Sequence, residues 1–214
     1  MPISLPIKIP FAPGKSPFRV KGSVYVGVRK RTEEDFEGGF DALVRGLGDP
    51  ELTAFCQQKF LPSGWYDYLP LLLIARAVTV ALMKNSADKR TFDEVMRASA
   101  VKHAQQDLGG IYKLLLRFTS PETAMLRLPS VHKQYYDFSY LTVNMLRPNV
   151  AETWVYGWPE IALSFFQVYN RAFLDRLIVL AGGQDPIAEW DVPEPDGETA
   201  GMKLVKVRAR TSWY

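Results

Sequence analysis

Reactive chemistry has few places to reside in this chain, which contains two histidines, His103 and His132, and one cysteine, Cys56. His103 stands four residues before Asp107 in a stretch with helical signals, so both side chains share a face and the carboxylate could orient the imidazole. A general base or a metal ligand would use that arrangement, and a surface histidine beside a carboxylate would show it too. Metal sites draw on three or four ligands and only this pair is visible, so no metal is expected. His132 lies in SVHKQYYDF beside Tyr135 and Tyr136, where it either stacks at a pocket rim or serves as an ordinary loop residue. Cys56, close to Phe55 and Phe60 and without an adjacent cation, reads as a small buried hydrophobe rather than a reactive thiol. A Gly-rich phosphate loop, a nucleophile elbow, a paired-Cys zinc motif and a two-His metal helix are all missing. No catalytic residue is therefore assigned, and an enzyme is the least favoured class.

The aromatic residues offer more. The chain has 12 Phe, 10 Tyr and 5 Trp, and three groups stand out: Trp65, Tyr66 and Tyr68; Tyr135, Tyr136 and Phe138; and Trp154, Tyr156 and Trp158. Rings with a few hydroxyl or indole donors are the usual lining of a small-molecule pocket, although the same stripes also build cores and protein interfaces. The expected ligand-binding residues are Trp65, Tyr68, His103, Tyr136, Trp154 and Tyr156.

Composition bounds what such a site can serve. At 214 residues with 47% hydrophobic content, the chain can bury a sizeable core as a single domain. A net charge of +3 gives no reason to expect a nucleic-acid partner. A single cysteine cannot form an internal disulfide, and prolines at 2, 6, 10, 13 and 17 interrupt any signal-peptide core, so a cytoplasmic location is expected. The most apolar run, Leu69 to Met83, contains Arg76 and falls short of the ~20 residues needed to span a bilayer.

The elements that must position these groups follow from periodicity and punctuation. Residues 1–17 read as an extended arm and 18–214 as one domain. FRVKGSVYVGVRK (18–30) alternates and predicts a strand, after which Thr32 caps a helix carrying Phe36, Phe40, Leu43 and Leu47 up to Gly48. Asp49-Pro50 opens a second helix. A central apolar helix follows from Gly64 to about Asn85, with Ser63 as cap and Pro70 either within its early part or at its true start. Thr91 to Glu94 is a capping box, Gly109-Gly110 interrupts its helix, IYKLLLRF continues helically, and Ser120-Pro121-Glu122 caps a short helix ending near Leu128. Tyr135 to Leu146 and Ala151 to Trp158 predict a hairpin around Arg147-Pro148-Asn149. Pro159 begins a long helix ended by Gly182-Gly183, and a second hairpin, Ile187–Val192 and Met202–Arg210, turns at 193–197. The fold class is α+β: helices packed on a small antiparallel sheet built from an N-terminal strand and two C-terminal hairpins.

With Lys21-Gly22, Trp65-Tyr66, LGGIYKLLLRFTSPE and Ser120-Pro121-Glu122 in place, this order of elements resembles the helix-plus-four-stranded-sheet plan of haem nitric-oxide/oxygen-binding domains and 4-vinyl-reductase-like small-molecule-binding domains. It is also similar to an uncharacterised myxobacterial paralogous family distantly related to that plan. The resemblance spans roughly residues 20–210 and implies a sensory, ligand-binding scaffold. The haem family's Tyr-x-Ser-x-Arg clamp on the propionates has no counterpart here, so no cofactor is expected, haem included. The expected function is a non-enzymatic regulatory or sensory module binding a small apolar ligand or a partner protein. The alternative is an assembly protein that self-associates, for instance as a homodimer, through apolar helix faces or edge strands.

Overall fold

The structure is a computed structural model that describes residues 3, 5, 6, 8–85, 90–108 and 120–214. Among these residues, eight α-helices pack on antiparallel strands, the α+β class expected. The predicted strand over 18–30 is mostly helix. Only Arg19–Lys21 is extended, as β1, and α1 runs Gly22–Asp35. Valine alternation is a strand signal that tertiary contacts can override, and three contacts do so here. Gly22 donates to the Gly64 carbonyl at 2.9 Å, so close to the chain that a Cβ would sit 2.1 Å from the Leu61 carbonyl oxygen. One turn on, Tyr25 stacks on Phe60 at 4.3 Å and its hydroxyl donates to the Asp67 carbonyl at 2.5 Å. Thr32, expected to cap a helix, lies inside α1 and donates back to the Val28 carbonyl.

The short helices α2 (Gly39–Arg45) and α3 (Pro50–Gln57) follow, the latter capped by Asp49 accepting from the Leu52 amide. Trp65–Asp67 then forms β2, paired antiparallel with β1, so the central helix α4 starts at Pro70 and runs to Asn85. The residue before a proline is biased away from helix, so Leu69 stays outside the helix, which begins at Pro70, the later of the two candidate starts. Asp67 is fully buried and gathers the N-terminal segment. Its carboxylate accepts from the amides of Gly14, Ser16 and Leu69 and from the Ser16 hydroxyl. Helix α5 (Phe92–Asp107) carries the predicted capping box at Thr91 and Glu94. IYKLLLRF and Gly109-Gly110 lie outside the described residues. After them come α6 (Pro121–Leu126), capped by Ser120 as expected, and α7 (Leu128–Tyr135), a helix not foreseen from the sequence.

The main sheet is built from β3 (Tyr140–Arg147), β4 (Val150–Pro159), β5 (Ile187–Trp190), β6 (Glu194–Thr199) and β7 (Met202–Ser212). β3 pairs with β4 and β4 with β7, whose other edge takes β6 near its start and β5 near its end. The segment predicted as a turn at 193–197 is thus largely strand, and the chain reverses at Ala200-Gly201, both with positive φ. A bulge between Val155 and Trp158 adds one residue to β4, with Gly157 at φ 69°, as a left-handed bulge position favours. That extra residue turns Trp158, which is fully buried, onto the same face as Val155. A 3₁₀ turn at Glu160–Ala162 leads into α8 (Leu163–Leu180), which covers this inner face. No helix among the described residues is long and apolar enough to cross a membrane.

Candidate functional site

Helices α1, α4, α5, α7 and α8 surround a cavity of about 320 Å³. Its apolar walls come from residues at helical spacing: Val24 and Val28 on α1, Ile74 and Val78 on α4, Phe165, Tyr169 and Phe173 on α8. Such i, i+4 repeats place one stripe of each helix toward a common centre. Several of these side chains, including Val24, Val28 and Phe165, are only half-buried although they pack against the core, because the cavity borders them.

The polar groups gather at one corner. His103 reaches the cavity from α5, with its ring 5.4 Å from that of Tyr169 and its Nε2 3.5 Å from the Ser99 hydroxyl. Burial pushes its pKa down to about 3, with the positive charges of Arg31 and Lys102 adding to the effect. The imidazole is therefore neutral and keeps a lone pair. Arg31 of α1 faces the same corner and donates from Nη1 to Asp107 at 3.1 Å. The carboxylate expected to orient His103 is thus engaged by Arg31 instead. Beside them, Lys102 and Asp35 pair at 2.5 Å, so two ion pairs link α1 to α5 along this edge.

At the other end sits His132 of α7, 6% exposed. Its Nε2 lies 2.6 Å from the Ser139 hydroxyl, and rings of Tyr136, Trp158 and Phe166 surround it at 4.8 to 6.4 Å. Burial lowers its pKa to about 4. Tyr68 and Tyr136 close this end, and burial raises the pKa of each phenol, so both remain neutral.

Of the six residues expected to bind a ligand, Tyr68, His103 and Tyr136 line the cavity. The other three do not reach it. Trp65 is 41% exposed on β2, with the Lys21 ammonium 4.0 Å from its ring centre. Trp154 and Tyr156 point to the opposite face of β4 from Val155. There Tyr156 stacks on Tyr140 at 4.7 Å, and Arg208 and Lys206 lie over Trp154. Period-2 alternation in a strand separates the Trp154/Tyr156 pair from the core, and the bulge then returns Trp158 inward. Sequence reasoning missed Arg31 and Tyr169. The four-residue steps from Phe165 to Tyr169 to Phe173 and from Gly27 to Arg31 were readable signals once α1 is a helix. Cys56 is buried and its pKa is pushed up to about 12 by that burial, so its thiol is inert at neutral pH. Among the described residues no group of three or more His, Cys, Asp or Glu could hold a bare metal ion.

No protein-family model matches the chain, and no curated protein matches it either. Solved structures do. The fold is shared with a Cs H-NOX domain carrying 4-cyano-L-phenylalanine (TM-score 0.61, 11% identity, 90% of this chain and 96% of that one). It is shared with a structure probing heme distortion in the H-NOX family (TM-score 0.58, 13% identity, 90% and 94%). A third likeness is to an oxygen-binding H-NOX domain related to soluble guanylate cyclases, solved as its oxygen complex (TM-score 0.58, 11% identity, 90% and 92%). These likenesses correct the expectation of no cofactor. That expectation rested on a missing propionate clamp, whereas the fold matches nearly the whole length of H-NOX structures, among them one that probes heme distortion and one solved as an oxygen complex.

Proposed function

We propose that this chain is a non-catalytic sensory domain that holds a small molecule in the helix-lined cavity, with haem as the cofactor its fold supports. The observation that carries this reading is the pairing of an apolar, aromatic-walled cavity with a corner containing a neutral imidazole and a guanidinium. Ligand sites are built in that way, from mostly apolar walls with a few placed polar groups.

The residues present fit haem at three points. His103, neutral through burial, would hold the iron, since an imidazole binds metal only in its unprotonated form. Arg31, which lines the same cavity, would face a propionate and so take up part of the role that the missing clamp performs. Phe165, Phe173 and Val78 would pack the apolar edges of the macrocycle and exclude water from it. Haem, when bound, would supply an iron centre able to take a small gas molecule. The chain's own contribution is to orient the ring, to keep the imidazole deprotonated and to set the polarity around it. Ser99 steadies His103 from within the same helix.

Titration of the purified protein with hemin tests this. A Soret band that saturates at one hemin per chain and is altered in His103→Ala is the expected result. The absence of any such band would remove haem from the proposal. Native mass spectrometry of protein taken directly from cells then decides whether another small molecule occupies the cavity.

A further inference from the structure

Arg31 is held on the cavity wall with only part of its guanidinium engaged. Its side chain is 11% exposed, and its Nε is buried with no hydrogen-bond partner among the described residues. Asp107 engages Nη1 alone, leaving the Nε side of the guanidinium fork open. A buried donor left unsatisfied is costly, and more so when charged, so the open Nε beside the cavity is a place where a ligand's acceptor would be gained. Gly27 points the same way. It lies one turn before Arg31, inside α1 and on the cavity wall, where glycine is destabilising relative to alanine. A Cβ there would come within 3.1 Å of Arg31 Nη1. The missing side chain is the space in which the guanidinium lies.

From these observations, and building on the ligand-binding reading above, we infer that the cavity's ligand is an acid whose carboxylate pairs with Arg31. Asp107 is the stand-in partner that the ligand releases. The two members of the ion pair differ in the freedom this requires. The Asp107 side chain is 57% exposed, against 11% for Arg31, so Asp107 can turn into water while the guanidinium stays in place. Nearby, Lys102 pairs with Asp35 and does not line the cavity, whereas Arg31 lines it and, among the described residues, keeps a donor without a partner. Fork-to-fork pairing through Nε and one Nη is the strong geometry for a carboxylate. The apolar walls fix the rest of the ligand as a flat or extended hydrocarbon body.

Two probe pairs of matched shape test the inference: 1-pyrenebutyrate against 1-pyrenebutanol, and protoporphyrin IX against its dimethyl ester, each titrated by fluorescence. The acid of each pair should bind about tenfold more tightly than its neutral partner, the difference that one charge-assisted pair supplies. Arg31→Met should erase this preference while leaving the neutral probe's affinity within about twofold. Asp107→Asn should strengthen acid binding, because the competing carboxylate is gone. Gly27→Ala should raise the melting temperature and yet weaken acid binding, two changes that a purely structural role would not combine. Equal affinity for acid and neutral probes, a preference unchanged in Arg31→Met, or no binding of any probe overturns the inference. If pyrenebutyrate shows the preference while hemin gives no Soret band, the haem reading alone fails.

Discussion

The cavity has a histidine at each end, and the two are built in opposite ways. His132 is locked: 6% exposed, bonded to Ser139 at 2.6 Å and ringed by Tyr136, Trp158 and Phe166. His103 is half-buried, 3.5 Å from the Ser99 hydroxyl, and stands beside an arginine with an unused donor. Burial keeps both imidazoles neutral, so protonation does not distinguish them. The difference lies in satisfaction. A polar group that is packed and bonded specifies the fold, whereas one left with spare capacity beside a cavity is available to a ligand.

Substitutions at the two ends should therefore separate stability from binding. The largest loss is expected for Trp158→Ala, which empties the centre of the locked end and should cost about 3–5 kcal/mol in denaturant unfolding. Ser139→Ala removes the partner of a buried ring nitrogen and should cost about 1–3 kcal/mol by the same measurement. The locked end also sets a pH dependence. Folded His132 titrates near 4 instead of 6.5, so below 6.5 the unfolded chain binds a proton that the folded chain refuses. Stability from this group is complete above 6.5 and falls as the pH drops toward 4; because His103, held near 3, contributes in the same sense, His132→Gln should reduce that slope without abolishing it in melts recorded across this range. The smallest effect on stability, under about 1 kcal/mol, is expected for His103→Ala, whose consequence should appear in ligand binding instead. A loss of several kcal/mol from His103→Ala would erase the contrast between the two ends.

How far the sequence disclosed this arrangement depends on the kind of signal. Capping signals at Asp49, Thr91 and Ser120 and the turn at Arg147-Pro148-Asn149 located their elements, because those residues act on the backbone next to them. Alternation failed at α1, where Val20, Val24, Val26 and Val28 look like one strand face. The helix there is imposed by Gly22 against Leu61 and by Tyr25 against Phe60 and Asp67, contacts at 35 or more positions' remove that no local window contains. That one misreading also hid Arg31, since only a helix brings it to the cavity corner. The aromatic groups were visible but their faces were not. Trp154 and Tyr156 lie outside the core and Trp158 within it because of a single bulge at Gly157. The lack of a Tyr-x-Ser-x-Arg clamp argues against haem in the sequence, and the likeness of the fold to H-NOX domains argues the other way.

With only two histidines in the chain, side-chain ¹H–¹⁵N spectra can follow both ends of the cavity at once. Recorded with and without zinc protoporphyrin, a diamagnetic probe, they test directly whether the cavity is a ligand site with His103 at its reactive corner. The His103 signals should move strongly, while those of His132 stay close to their starting positions with the Ser139 bond intact. Unchanged spectra, or a shift at His132 as large as that at His103, would contradict the account.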